Sequence, residues 1–93
     1  MDLYESFLSD KKTLYSVVNE DGEKTTITLD KFTADILQAH LPNVHAWVQQ
    51  TYDRVAVKKP ELSRRRQGDL VRILAAREAA TTETYKTFMR DLL

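Results

Sequence analysis

The chain has 93 residues, of which 42% are hydrophobic and 30% charged. This composition predicts one small globular domain over residues 1–93 and argues against intrinsic disorder. The absence of cysteine excludes disulfides, thiolate zinc sites and cysteine nucleophiles. No window approaches the ~20 apolar residues that span a bilayer. The acidic start lacks the basic segment of a secretory signal, so we expect a cytoplasmic protein that does not enter a membrane.

Charge is distributed unevenly along the chain. The formal net charge is zero, with 14 basic and 14 acidic residues. Residues 1–39 nevertheless sum to −4, residues 40–77 to +5 and residues 78–93 to −1. Such an asymmetry predicts an interaction surface, but it does not identify the partner.

A short amphipathic helix is predicted at the amino end. Asp2 is placed to act as its N-cap, and Glu5 three residues later completes a capping-box-like pair. The apolar side chains that share one face of this helix are Leu3, Tyr4, Phe7 and Leu8. Because the segment is short and acidic, whereas membrane-surface helices are usually basic, we expect it to dock on the core.

A β-hairpin over about residues 13–29 is predicted next. Its strands are rich in β-branched and aromatic residues, and the Asp21-Gly22 step between them accepts the positive φ angles of a two-residue type I′ turn. The resulting register pairs Leu14 with Leu29. The side chains that it turns toward the helices are Leu14, Val18, Ile27 and Leu29. The alternative is that the free strand edges pair with a second copy of this chain, as a homodimer, or with a strand of a partner.

Two helices are predicted after the hairpin. Asp30 is placed to cap the first, over residues 31–40, and Asn43 to cap the second. The inward residues expected on the first helix are Phe32, Ile36, Leu37 and Leu41. The second has the strongest helical periodicity in the chain, carried by Val44, Trp47, Val48, Thr51, Tyr52 and Val55.

Helical spacing continues from Pro60 to the end of the chain. Proline suits the first turn of a helix, so Pro60 predicts a helix start. The residues that keep this spacing are Leu70, Ile73, Leu74, Thr81, Tyr85, Phe88, Met89 and Leu92. Of these, Tyr85 and Phe88 are expected to pack in the core. Threonine is a common N-cap, so Thr82 is placed to begin a separate last helix. The spacing fits one long helix and two helices equally well. The predicted fold class is α+β: a short N-terminal helix, one hairpin and three or four helices that form the core.

The sharpest local signal is the run of arginines at 64–66. Consecutive helical residues point about 100° apart, so this run alone does not form a flat patch. With basic neighbours around Pro60 it predicts a binding site at a helix start, made of Arg54, Lys58, Lys59, Arg64, Arg65, Arg66 and Arg72. Such a site suits phosphates or the carboxylates of an acidic protein. Alternatively, these side chains are a solvated face or pair with the chain's own acidic half.

A degenerate helix-turn-helix is a further interpretation of residues 30–56. Ala34, Val44 and Trp47 have the spacing of that motif. The residues that would begin its recognition helix are Asn43, His45, Ala46, Gln49 and Gln50. The turn lacks glycine and Pro42 stands near the second helix start, so a plain helix pair explains the same residues.

No group of residues in the sequence indicates catalysis, and we expect no enzyme, no metal and no cofactor. The serines have no elbow motif, no glycine-rich phosphate loop is present, and His40 and His45 stand five residues apart without a third ligand.

These features favour a small non-enzymatic regulatory or adaptor protein that binds a protein partner. By base rate, proteins of this size and character include phage- and plasmid-encoded inhibitors and accessory factors. The alternative is a nucleic-acid-binding regulator that uses the basic stretch 54–72 and the helix pair 30–56. The zero net charge counts against strong non-specific binding of nucleic acid, because the acidic half repels phosphate.

Overall fold

The computed structural model describes residues 2–93 and has an α+β fold, as predicted. Its elements in chain order are α1 (Leu3–Leu8), β1 (Lys12–Val18), β2 (Lys24–Asp30), α2 (Lys31–His40), α3 (Val44–Lys58), α4 (Arg64–Ala80) and α5 (Glu83–Leu92). The two strands form an antiparallel hairpin whose ends lie within one residue of the predicted ones. Within residues 2–93, no helix combines the length and the apolar character needed to cross a membrane.

Side-chain caps fix where most of the helices begin. Asp2, Asp30 and Asn43 each accept a backbone N–H from the first turn of α1, α2 and α3, which confirms the three predicted caps. Thr82 does the same for α5. The carboxy-terminal region therefore consists of two helices, separated at Thr81 and Thr82.

The start of α4 differs from the prediction. Pro60 lies in the turn that follows α3, where the Leu62 N–H donates to the Lys59 carbonyl at 3.2 Å. The N-cap of α4 is Ser63, whose hydroxyl accepts a backbone N–H from the first turn. The prediction that Pro60 stands in that first turn is wrong, because the capping hydroxyl comes three residues later.

The hairpin is paired one residue away from the predicted register. Leu14 lies opposite Thr28 instead of Leu29. Because strand residues alternate between faces, this shift reverses the faces of β1. The strand side chains that face the core are Tyr15, Val17, Ile27 and Leu29. The prediction that Leu14 and Val18 face inward is wrong, and Leu14 is 65% exposed.

The loop of the hairpin explains this shift. The Gly22 N–H donates to the Asn19 carbonyl at 3.0 Å, and the Asn19 N–H donates to the Glu23 carbonyl at 2.9 Å. Asn19 Oδ1 also accepts the N–H groups of Asp21 and Glu23. Gly22 has a φ of +76°, but Asp21 does not have the positive φ that a type I′ turn requires. Asn19 thus closes a loop of three residues instead of two.

The core lies between one face of the hairpin and α2, α3 and α4, which all pack on it. Its buried apolar residues are Leu3, Tyr15, Val17, Ile27, Leu29, Ala34, Ile36, Leu37, Val44, Val48, Tyr52, Val55, Val71, Ala75 and Ala79. The predicted stripe of α3 is confirmed, with Trp47 partly buried. Phe32 and Leu41 also pack against the core without being fully buried.

α4 packs through small residues. Gly68 faces β2, and a Cβ placed on it would lie 3.9 Å from Ile27 Cγ1. The apolar side chains that α4 buries are Val71, Ala75 and Ala79. Ile73, which keeps the helical spacing of the sequence, is 63% exposed. Small side chains let α4 approach the hairpin closely, and a pattern based on large apolar residues does not detect such a face.

Candidate binding surfaces

The predicted basic residues surround the turn between α3 and α4. Gln67 Nε2 donates to the Lys59 carbonyl at 3.1 Å and so ties the start of α4 to the end of α3. We call the predicted set the basic junction: Arg54, Lys58, Lys59, Arg64, Arg65, Arg66 and Arg72. Arg72 lies two turns into α4, and the other six lie nearer the connecting turn.

Three arginines of the basic junction take part in ion pairs within the chain. Arg64 pairs with Glu23 at the hairpin loop. Arg66 and Arg72 both pair with Asp69, at 2.8 and 2.5 Å. Across the described part of the chain, no ion pair involves the remaining four: Arg54, Lys58, Lys59 and Arg65.

The pair between Arg64 and Glu23 joins the basic junction to the acidic half of the chain. A hydrogen bond from Arg64, together with its positive charge, lowers the pKa of Glu23. The same hydrogen bond raises the pKa of Arg64. The alternative that these basic side chains pair with the chain's own acidic half therefore applies to Arg64.

A groove of about 850 Å³ runs beside the basic junction, between the hairpin loop and the α3–α4 turn. Its charged lining residues are Glu20, Asp21, Asp53 and Arg64. Three carboxylates against one guanidinium repel an approaching phosphate. This side of the junction therefore does not suit nucleic acid. The four basic residues without an ion pair among residues 2–93 lie outside the groove lining, on α3, on α4 and at Lys59 of the turn.

The outer edge of β1 is covered by side chains of α3. The Gln49 amide accepts the Val18 N–H and donates to the Val18 carbonyl, both at 2.9 Å. His45 Nε2 contacts the Ser16 carbonyl oxygen at 2.5 Å. The Gln49 amide thus takes the place of a peptide group from a neighbouring strand. This part of β1 is not free to pair with a second copy or a partner strand.

The same contacts use side chains that a helix-turn-helix would need for reading bases. Asn43 caps α3, while His45 and Gln49 are bound to β1. Gln50 is exposed. The geometry of the helix pair 30–56 therefore gives little support to recognition of a base sequence through the start of α3.

A hydrogen bond between buried Ser6 and partly buried Asp35 joins α1 to α2. Ser6 Oγ donates to Asp35 Oδ2 at 2.5 Å, and Lys31 Nζ donates to the same oxygen at 2.9 Å. Burial tends to raise the pKa of Asp35, but the hydrogen bonds from Ser6 and Lys31 and the charge of Lys31 outweigh it, so that the pKa is lowered. Because Ser6 is only 4% exposed, this pair positions α1 and is not accessible to a substrate.

A second surface lies where α1 and α5 both contact Phe32 of α2, beyond the far end of α4. α4 has 17 residues and is about 25 Å long, so most of the basic junction lies at its other end. Phe32 of α2 links the two helices, with ring centroids 6.1 Å from Phe7, 6.2 Å from Tyr85 and 5.0 Å from Phe88. Aromatic pairs at these distances are favourable.

A groove of about 920 Å³ lies beside these aromatic contacts, between α1 and α5. We call it the α1–α5 groove. Its lining residues are Asp2, Leu3, Tyr4, Glu83, Thr84, Thr87, Phe88, Asp91 and Leu92. Tyr4 is 53% exposed and Leu92 54% exposed. Among residues 2–93, the charged residues that line the groove are Asp2, Glu83 and Asp91, and all three carry carboxylates.

The α1–α5 groove was not a predicted site, because the spacing in α5 indicated core packing. Tyr85 and Phe88 pack partly against the core, but α5 has no fully buried residue. Met89 and Leu92, which share the helical spacing of Tyr85 and Phe88, are exposed. The exposure of α5 depends on which other elements contact it, and its own sequence does not show this.

Neither surface has the donor set of a metal site, since no group of three His, Asp or Glu residues within 2–93 could hold a metal ion. The comparisons with known proteins add no assignment to either surface. No protein-family model, no curated protein and no solved structure matches this chain.

Proposed function

We propose that this chain is a small non-enzymatic regulatory or adaptor protein that acts by binding another protein. The observation that carries this proposal is the apolar surface that α1 and α5 leave uncovered. Besides Tyr4 and Leu92, this surface includes Phe7 and Leu8, each about three-fifths exposed. Apolar patches of neighbouring side chains on a folded domain mark interaction sites, whereas single exposed apolar residues do not.

The location of the patch strengthens this proposal. α5 carries Tyr85, Phe88, Met89 and Leu92 on one side, yet none of them is fully buried within the chain. A helix with an apolar side usually gains its stability by burying that side against a neighbour. A partner that covers α1 and α5 would supply this burial.

A second candidate function is nucleic-acid binding through the basic junction. It is favoured by the four basic residues that have no ion pair among residues 2–93: Arg54, Lys58, Lys59 and Arg65. The mixed charge of the neighbouring groove and the zero net charge weigh against it. Protein binding is therefore the function that we place first.

Affinity capture with three immobilised proteins tests the proposal. One is the natural chain, one carries Tyr4→Ser with Leu92→Ser, and one carries Lys58→Ala with Lys59→Ala and Arg65→Ala. We expect one protein from the source lysate to be retained by the natural chain and the junction variant, and lost by the first variant. Retention by the Tyr4/Leu92 variant but not by the junction variant would assign the interaction to the basic junction.

A salt titration with duplex DNA and RNA tests the second candidate. A nucleic-acid binder loses affinity steeply with salt, and the junction variant would have a shallower slope. We expect no binding by the natural chain at low salt. Tight, salt-sensitive binding that the junction variant lacks would overturn the first proposal in favour of the second.

A further inference from the structure

We infer that the α1–α5 groove binds an amphipathic helix of a partner protein, with apolar anchors in the groove and Lys or Arg residues beside them. This inference rests on the proposed function and names the chemistry of its partner. It starts from the shape of the groove, which one side of α5 and the first turn of α1 line. Amphipathic helices bind in such grooves through anchors at i, i+3 or i+4, and i+7.

The length of the groove agrees with such anchors. On α5 its lining runs from Glu83 to Leu92, which corresponds to about 14 Å along the helix axis. Anchors from i to i+7 span about 10 Å on a ligand helix. Tyr4 and Leu92 provide half-exposed apolar contacts, and Phe88 provides a partly buried one.

The charge of the rim selects the partner class. Asp2, Glu83 and Asp91 carry the charges of the groove lining, and all three are negative. Asp2 also caps α1 through Oδ1, which accepts the backbone N–H groups of Tyr4 and Glu5. An apolar surface with an acidic rim complements an apolar ligand with basic flanks. Anionic lipid surfaces and nucleic acids are repelled by this rim, so a protein segment fits best.

Binding of a designed peptide to the full chain tests this inference by fluorescence anisotropy. The probe is a labelled helix-favouring peptide with leucines at i, i+4 and i+7 and lysines beside them. One control peptide has glutamates in place of the lysines, and a second has the same composition with the leucines scattered around the helix. We expect saturable binding of the lysine peptide only, weakening as salt is added.

Two charge variants locate the binding site. Asp91→Lys reverses a charge in the groove, and we expect it to weaken binding of the lysine peptide about fivefold. Glu61→Lys makes the same charge change on an exposed residue of the α3–α4 turn, and we expect no loss of affinity. Circular dichroism of both variants establishes that each remains folded.

The outcomes separate this inference from the proposed function. Failure of the lysine peptide to bind, equal binding of the glutamate peptide, or equal loss in both variants overturns the inference. Preferential binding to anionic vesicles, or self-association that Asp91→Lys abolishes, also overturns it by assigning the groove to a lipid surface or a second copy. If capture of a lysate protein still depends on Tyr4 and Leu92, the proposed function stands without the helical partner.

Discussion

The two glycines of the chain have different structural roles. Gly22 closes the hairpin loop with a φ of +76°, a conformation that other residues adopt only with strain. Gly68 lies inside α4, where a Cβ would meet Arg72 Nη1 and Ile27 Cγ1 at 3.9 Å, which is ordinary van der Waals contact. The first position requires glycine for its backbone, and the second does not.

Substitution of these glycines by alanine is therefore expected to have opposite effects. Gly68→Ala raises the free energy of unfolding by about 0.5–1 kcal/mol, because alanine is the better helix former. Gly22→Ala lowers it by about 1 kcal/mol or more, because the backbone becomes strained. Urea unfolding of the two variants beside the natural chain measures both effects. A loss of stability in Gly68→Ala would show that α4 lies closer to the hairpin than described.

The contact of Ser6 with Asp35 gives the stability a defined pH dependence. The pKa of Asp35 is lowered in the folded chain, so its ionised form stabilises the fold above the ordinary aspartate pKa. That contribution is lost as the pH falls through the folded-state pKa. Ser6→Ala removes one donor, and we expect it to lower the free energy of unfolding by about 1.5 kcal/mol at neutral pH.

Unfolding of the Ser6→Ala variant and the natural chain across the acidic range measures this dependence. The difference between them is expected to shrink as Asp35 becomes protonated. Ser16→Ala is the control, since Ser16 is exposed on β1. A constant difference at every pH would mean that Ser6 contributes through packing alone.

At the scale of elements, the sequence contains the identity of the helices and the hairpin but not how they meet. Caps at Asp2, Asp30 and Asn43 are local signals, and the structure has all three. The hairpin register depends on whether Asn19 joins the loop, and a shift of one residue reverses the faces of β1. The exposure of α5 depends on tertiary neighbours, so no local pattern reveals it.

The cover of α3 over β1 predicts a local change in hydrogen exchange. Gln49→Ala removes both hydrogen bonds to Val18, so we expect the Val18 amide to exchange faster. The cost in unfolding free energy is about 1 kcal/mol. Gln50→Ala is the matched control on the next residue, which is exposed. Equal exchange rates in the two variants would contradict the proposed role of Gln49 as edge cover.

Phe32 is expected to hold α5 in place, because it contacts Tyr85 and Phe88. Phe32→Ala should lower the free energy of unfolding by about 2–3 kcal/mol. This is less than most buried phenylalanines lose on the same change, because Phe32 is only partly buried. Hydrogen exchange should become faster throughout α5. Phe7→Ala, at a ring that is 61% exposed, is the milder control. Unchanged exchange in α5 would show that other contacts dock it.

At the scale of the whole molecule, charge and apolar surface are separated along an elongated shape. The chain extends 44 by 23 by 22 Å, and its radius of gyration of 13.9 Å exceeds the ~12 Å of a compact domain of this length. Most of the basic junction lies at the start of α4, and the α1–α5 groove lies beyond its other end, about 25 Å along the helix. The segregation of charge in the sequence indicated the first surface, and the exposed side of α5 indicates the second.

A partner that binds the α1–α5 groove protects different residues from hydrogen exchange than a partner that binds the basic junction. Hydrogen exchange of this chain, alone and with its captured protein partner, compares them most directly. We expect slower exchange in residues 3–8 and 83–92, with residues 54–66 unchanged. Protection confined to residues 54–66, with α1 and α5 exchanging as in the free chain, would contradict the assignment of protein binding to the α1–α5 surface.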